Sequence, residues 1–162
     1  MKKSLITLSL VLISFLSYSQ NYFNLDNIKP ISNKDRMNNN YKKLALFTAH
    51  IILDASGDAF NDEGYKTLGH TLNALAIADL LSIPFLTNTK KEDFIPEIAG
   101  YILLRIGMFD PTYNITRGLD FNYVGNSSIS DKLIKKLKSP NGIGYLGRIV
   151  PTCIGVSLIL RL

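Results

Sequence analysis

The sequence predicts an all-α protein: a small bundle of four to five helices after an N-terminal signal peptide, with one long ordered loop. Three observations point there. From Tyr41 onward the apolar residues recur at helical spacing, and no stretch shows the sustained apolar–polar alternation of a strand. Helix-stopping residues then divide the chain, at Gly64, at Pro84, at Asp110-Pro111 and at Ser139-Pro140-Asn141-Gly142. Finally, residues 1–20 stand apart from the rest. A basic head, Lys2-Lys3, precedes the apolar stretch Leu5–Leu16 and the small polar residues Ser17-Tyr18-Ser19-Gln20, the layout of an export signal.

The alternative is an uncleaved anchor, but the apolar stretch is short for a span, which needs about 20 apolar residues. Cleavage is expected near Ser19 or Gln20. No Cys stands at the junction, so a lipid-modified N-terminus is not expected, and the only cysteine, Cys153, allows no internal disulfide. The expected address is outside the cytoplasm, in a periplasm or a cell-envelope membrane. Residues 21–40 are Asn-rich and interrupted by Pro30, and are expected to form a polar arm. Residues 41–162 are expected to form a single helical domain.

Within that domain the first helix is expected over Lys42–Phe60, ending at Asn61-Asp62-Glu63-Gly64 because Gly suits the C-terminal turn. The second runs from Tyr65 or Lys66 to Ser82 and stops before Pro84. The third spans Phe94–Met108, with Pro96 tolerated in its first turn and Asp110-Pro111 closing it. From Asp110 to Ser128 the chain is poor in helix formers, and a loop of this length is usually functional or disordered; Tyr113, Phe121 and Tyr123 argue for order. Ser128-Ile129-Ser130-Asp131 has the pattern of a capping box, opening a short basic helix that carries Lys132, Lys135, Lys136 and Lys138. The last helix is expected over Arg148–Leu162, bent or started by Pro151.

Without the two leader lysines the net charge falls from +5 to +3. The lysines are scattered and the chain is expected to be exported, so nucleic acid is not an expected partner. Membrane lipid or another envelope protein is. The helices are unusually apolar, yet the longest uncharged runs, 67–78 and 149–160, are shorter than a span. Helices two and three could still cross a bilayer if Asp79, Glu97 and Arg105 faced protein.

One stripe carries the residues with most chemical potential. His50, Asp54 and Asp58 are four residues apart and share a helix face with Gly57 and Asn61. Such a face is either a solvated side or a narrow polar channel; the short side chains suit the channel. His70 opens the second helix and could approach the Asp58 end by antiparallel packing. His50, Asp54, Asp58 and His70 are therefore a candidate ligand set for a divalent metal such as zinc or iron. Asp79 and Arg105, each isolated among aliphatic residues, are expected to form a buried pair. Arg117 is a candidate oxyanion-binding residue, or else a staple that with Asp110 ties loop carbonyls to the bundle. No Gly-x-Ser-x-Gly, phosphate-binding loop or His-Glu-x-x-His motif is present. Two functions follow as expectations. One is a structural or accessory envelope component, associated with or embedded in a membrane. The alternative is a metal-dependent hydrolase of a phosphate- or lipid-linked substrate.

Overall fold

The computed structural model describes residues 33–124 and 146–161. The protein is all-α, and its four helices pack as a bundle. They are α1 (Asn33–Asp62), α2 (Lys66–Leu86), α3 (Phe94–Thr116, preceded by a 3-10 turn at Lys91–Asp93) and α4 (Leu146–Leu160). The expected signal peptide, the expected arm up to residue 32, and the expected capping box and basic helix at 128–138 lie outside the described residues.

Cross-helix contacts give the direction of each helix. His50 of α1 meets Ala76 of α2 and Gly57 meets Asn73, so these two run antiparallel. Lys43 meets Glu97, Asp54 meets Arg105 and Asp62 meets Tyr113, so α1 and α3 run parallel. Gly100 packs on Gly155 and Gly107 on Arg148 and Thr152, so α4 returns antiparallel to α3. A small apolar core joins all four helices through Phe47, Ile51, Ile83, Leu104 and Ile159.

Two helix ends follow from glycine. Gly64, at φ 93°, stops α1: its N–H reaches Asn61 O (3.2 Å) and the next N–H, of Tyr65, reaches Phe60 O (2.9 Å). This left-handed cap satisfies carbonyls that the helix end leaves open. The Tyr65 and Phe60 rings meet edge to face at 6.1 Å, supplying its usual hydrophobic contact. Gly118, at φ 63°, ends α3 in the same way, with Gly118 N–H on Ile115 O and Leu119 N–H on Asn114 O.

The other boundaries differ from the sequence expectation, and packing explains the differences. α1 begins at Asn33, inside the stretch expected as a polar arm. There Asn40 is buried and donates to Leu160 O (3.4 Å), while Asn39 donates to Asn88 O (2.6 Å) and accepts from Asn88 N–H. α2 continues through Pro84 to Leu86, so the proline stands two residues before the helix end rather than beyond it. α3 continues through Pro111 to Thr116, so the first part of the expected loop is helix. Its last turns are held from α1, where Tyr113 donates to Asp62 (2.5 Å) and Ser56 shares a hydrogen bond with Thr116 (3.3 Å). Tertiary contacts here override local propensity.

Candidate functional site

The inward positions of α3 alternate by three and four residues: Glu97, Gly100, Leu104, Gly107, Pro111 and Asn114, all buried. This is the spacing of a packed helical seam, but apart from Leu104 its larger occupants are polar and the rest are glycine or proline. α1 turns Asn40, Lys43, Phe47, His50 and Gly57 inward at the same spacing, α2 turns Gly69, Ala76 and Ile83, and α4 turns Arg148, Gly155 and Ile159. Large aliphatic residues such as Ile77, Ile95, Ile102 and Ile149 face outward, each half exposed or more.

At one end of the seam lies a buried ion cluster. Lys43, 1 % exposed, donates from Nζ to Glu97 Oε1 at 2.5 Å. The same carboxylate accepts from Arg161 Nη2 (3.0 Å) and, at Oε2, from Thr89 Oγ1 (3.0 Å); Arg161 also pairs with Asp93. Two cations and two anions thus balance where four chain segments converge.

In the middle, His50 is buried, with Nδ1 2.9 Å from Ala76 O. A carbonyl only accepts, so the proton of this bond sits on Nδ1. The Tyr101 ring lies 5.7 Å from the imidazole. Arg105 donates to Asp54 Oδ2 (2.5 Å), and its guanidinium stacks 4.5 Å over Phe109.

Toward the far end α1 and α2 come close through a reciprocal Gly-x-x-x-Asn pattern. A Cβ on Gly57 would fall 1.8 Å from Asn73 Oδ1, and one on Gly69 would fall 2.3 Å from Asn61 Oδ1. Asn73 also donates to Asp58 Oδ1 (3.0 Å).

The candidate residues therefore separate. Of the proposed metal ligands, His50 is bonded to a backbone carbonyl, Asp54 to Arg105 and Asp58 to Asn73, while His70 is exposed on α2. Among the described residues, no three His, Cys, Asp or Glu side chains gather as a metal would require. Four-residue spacing aligned them on paper, but each meets a different neighbour. No ion pair joins Asp79 to Arg105: Arg105 of α3 reaches α1, whereas Asp79 of α2 has its Oδ2 buried without a hydrogen-bond partner. Arg117 donates to Tyr113 Oη (2.8 Å), 4.0 Å from Asp62, and so holds the end of α3. The carbonyl staple is Arg148 instead: its guanidinium donates to Phe121 O and, at 2.9 Å, to Tyr123 O, and it lies 3.9 Å from Asp110.

Sequence reasoning missed Lys43, Asp93, Glu97, Arg148 and Arg161 as a set. The usable signal was the run of small residues alternating with Glu97 and Asn114 along α3. Compared with protein-family models, with curated proteins and with solved structures, the chain matches none.

Proposed function

We propose that this is a small exported envelope protein, a structural or accessory component whose bundle is embedded in a membrane. The observation that carries the proposal is the inversion of the bundle. Around a small apolar core its seam holds glycines and paired or hydrogen-bonded polar groups, while many large aliphatic residues of α2, α3 and α4 face outward. A bundle in water buries its large aliphatic residues, because burial is worth roughly 25 cal/mol per Å². In lipid that difference vanishes, and helices associate through small residues and interhelical hydrogen bonds. α2 is long and apolar enough to cross a membrane; its 21 residues extend about 31 Å, against about 30 Å for the hydrocarbon core. The charges of α3 also have protein partners, as intramembrane charges must. In this reading the leader supplies the export.

Cys153, the sole cysteine and exposed on α4, provides the test. A bimane attached there, in protein reconstituted into phosphatidylcholine vesicles, should be quenched by lipids carrying a nitroxide on the acyl chain, and much less by aqueous iodide. Quenching by iodide alone would place this face in water and overturn the proposal.

A further inference from the structure

We propose that the cleft between α3 and α4 holds one acyl chain of a membrane lipid. The two helices touch at Gly107, where an added Cβ would stand 2.0 Å from Thr152 Oγ1 and 2.6 Å from Arg148 O. Beside this contact lies a cavity of about 360 Å³ that opens outward. Met108, Pro111 and Ile115 line it from α3, Ile149 and Cys153 from α4, and Phe121 from the loop after α3. Phe121 is held in place there. Its carbonyl accepts from Asn114 Nδ2 (3.3 Å) and from Arg148 Nη1, and the Arg148 guanidinium lies 5.9 Å from its ring.

The chemistry of the occupant follows from the polar groups of the wall, which are already used. Thr112 Oγ1 donates to Met108 O (2.9 Å) and Thr152 Oγ1 to Arg148 O (2.8 Å), each within its own helix. Arg148, 3 % exposed, donates to Phe121 O and Tyr123 O and lies 3.9 Å from Asp110. The rest of the lining is chiefly carbon, so a charged or polar ligand would shed its water with little in return. An apolar cavity of about 150 Å³ already takes up benzene. This one has more than twice that volume, within the ordinary range for a bound small molecule. Its shape selects a chain over a compact ring system. The α3 lining recurs at Gly107, Pro111 and Ile115, a stripe about 12 Å long at about 1.5 Å per residue. Ile115 and Ile149 stand at the mouth, 64 % and 54 % exposed, so a chain can enter sideways while its head group stays outside. That the chain comes from a lipid rests on the membrane assignment above; the apolar lining does not.

Photolabelling of the full-length protein in detergent supplies the test. The probe is a phosphatidylcholine carrying a diazirine near the end of one acyl chain, with cross-links mapped by peptide mass spectrometry. Labelling at Met108, Ile115, Ile149 and Cys153 should saturate at one probe per chain, whereas labelling at Ile77 of α2 should rise in proportion to the probe. Unlabelled phosphatidylcholine and phosphatidylglycerol should compete equally, since the wall offers nothing to a head group. Ile149→Trp, which fills part of the cleft from an exposed position, should cut the cleft labelling roughly tenfold and leave Ile77 labelling unchanged. Cleft labelling that never saturates, or that survives Ile149→Trp, would overturn the proposal, as would a strong preference for one head group. If Ile149→Trp fails to fold by circular dichroism, Ile115→Trp takes its place and is read in the same way. Non-saturating labelling with Cys153 still quenched from the acyl chains would strike the cleft and spare the membrane assignment.

Discussion

Lys43 and Asp54 both sit on α1 and both make 2.5 Å contacts to α3, yet their weights differ. The Lys43 and Glu97 side chains are 1 % and 6 % exposed, whereas those of Arg105 and Asp54 are 37 % and 23 % exposed. Removing one partner of a buried pair strands the other charge and costs about 3–5 kcal/mol, while an accessible pair is worth about 1 kcal/mol or less. Lys43→Ala should therefore lower stability several times more than Asp54→Asn in denaturant titrations. Glu97→Gln should be at least as damaging as Lys43→Ala, since Glu97 also holds Arg161 and Thr89. Equal effects of Lys43→Ala and Asp54→Asn would mean that water reaches the cluster. None of these pairings is visible in the one-dimensional sequence. Glu97 lies 54 residues from Lys43 and 64 from Arg161, and no local spacing links them.

At the scale of elements, α3 and α4 meet where neither has a side chain. A Cβ on Gly155 would stand 2.6 Å from Gly100 O and 2.7 Å from Leu104 N, backbone atoms that cannot rotate away. Gly147, on the same helix, has nothing within 4 Å of that position. Gly155→Ala should thus destabilise by about 1–3 kcal/mol through overpacking. Gly147→Ala should be neutral or stabilise by up to about 1 kcal/mol through helix propensity. Thermal melts of the two variants separate these cases; equal melting temperatures would show that the helices do not approach this closely. The sequence made the helical class legible, and it made the stop at Gly64 and the starts at Lys66 and Phe94 legible too. It misplaced the ends at Pro84 and Pro111, because a proline weighs heavily in local propensity while the contacts that hold Tyr113 and Thr116 come from α1. It also aligned His50, Asp54 and Asp58 correctly on one face of α1, but could not show that three different partners, Ala76, Arg105 and Asn73, divide them.

For the whole molecule, the decisive quantity is what the outer surface costs in each solvent. Ile77 is 60 % exposed near the middle of α2, and Ile102 is 50 % exposed on α3. In water a lysine at such a position changes stability by no more than about 0.5 kcal/mol and improves solubility. At the centre of a membrane helix it costs about 2.5–3.5 kcal/mol on the insertion scale. Ile77→Lys should therefore sharply reduce the protein recovered in membranes after alkaline extraction, and Ile77→Lys with Ile102→Lys should abolish it. Glu63→Lys, an exposed charge reversal beyond the end of α1, should leave recovery unchanged. The opposite pattern, with normal yield and better solubility for the lysine variants, would mean that the aliphatic faces meet water. The inverted bundle would then need another cover, and the membrane assignment would fall with it.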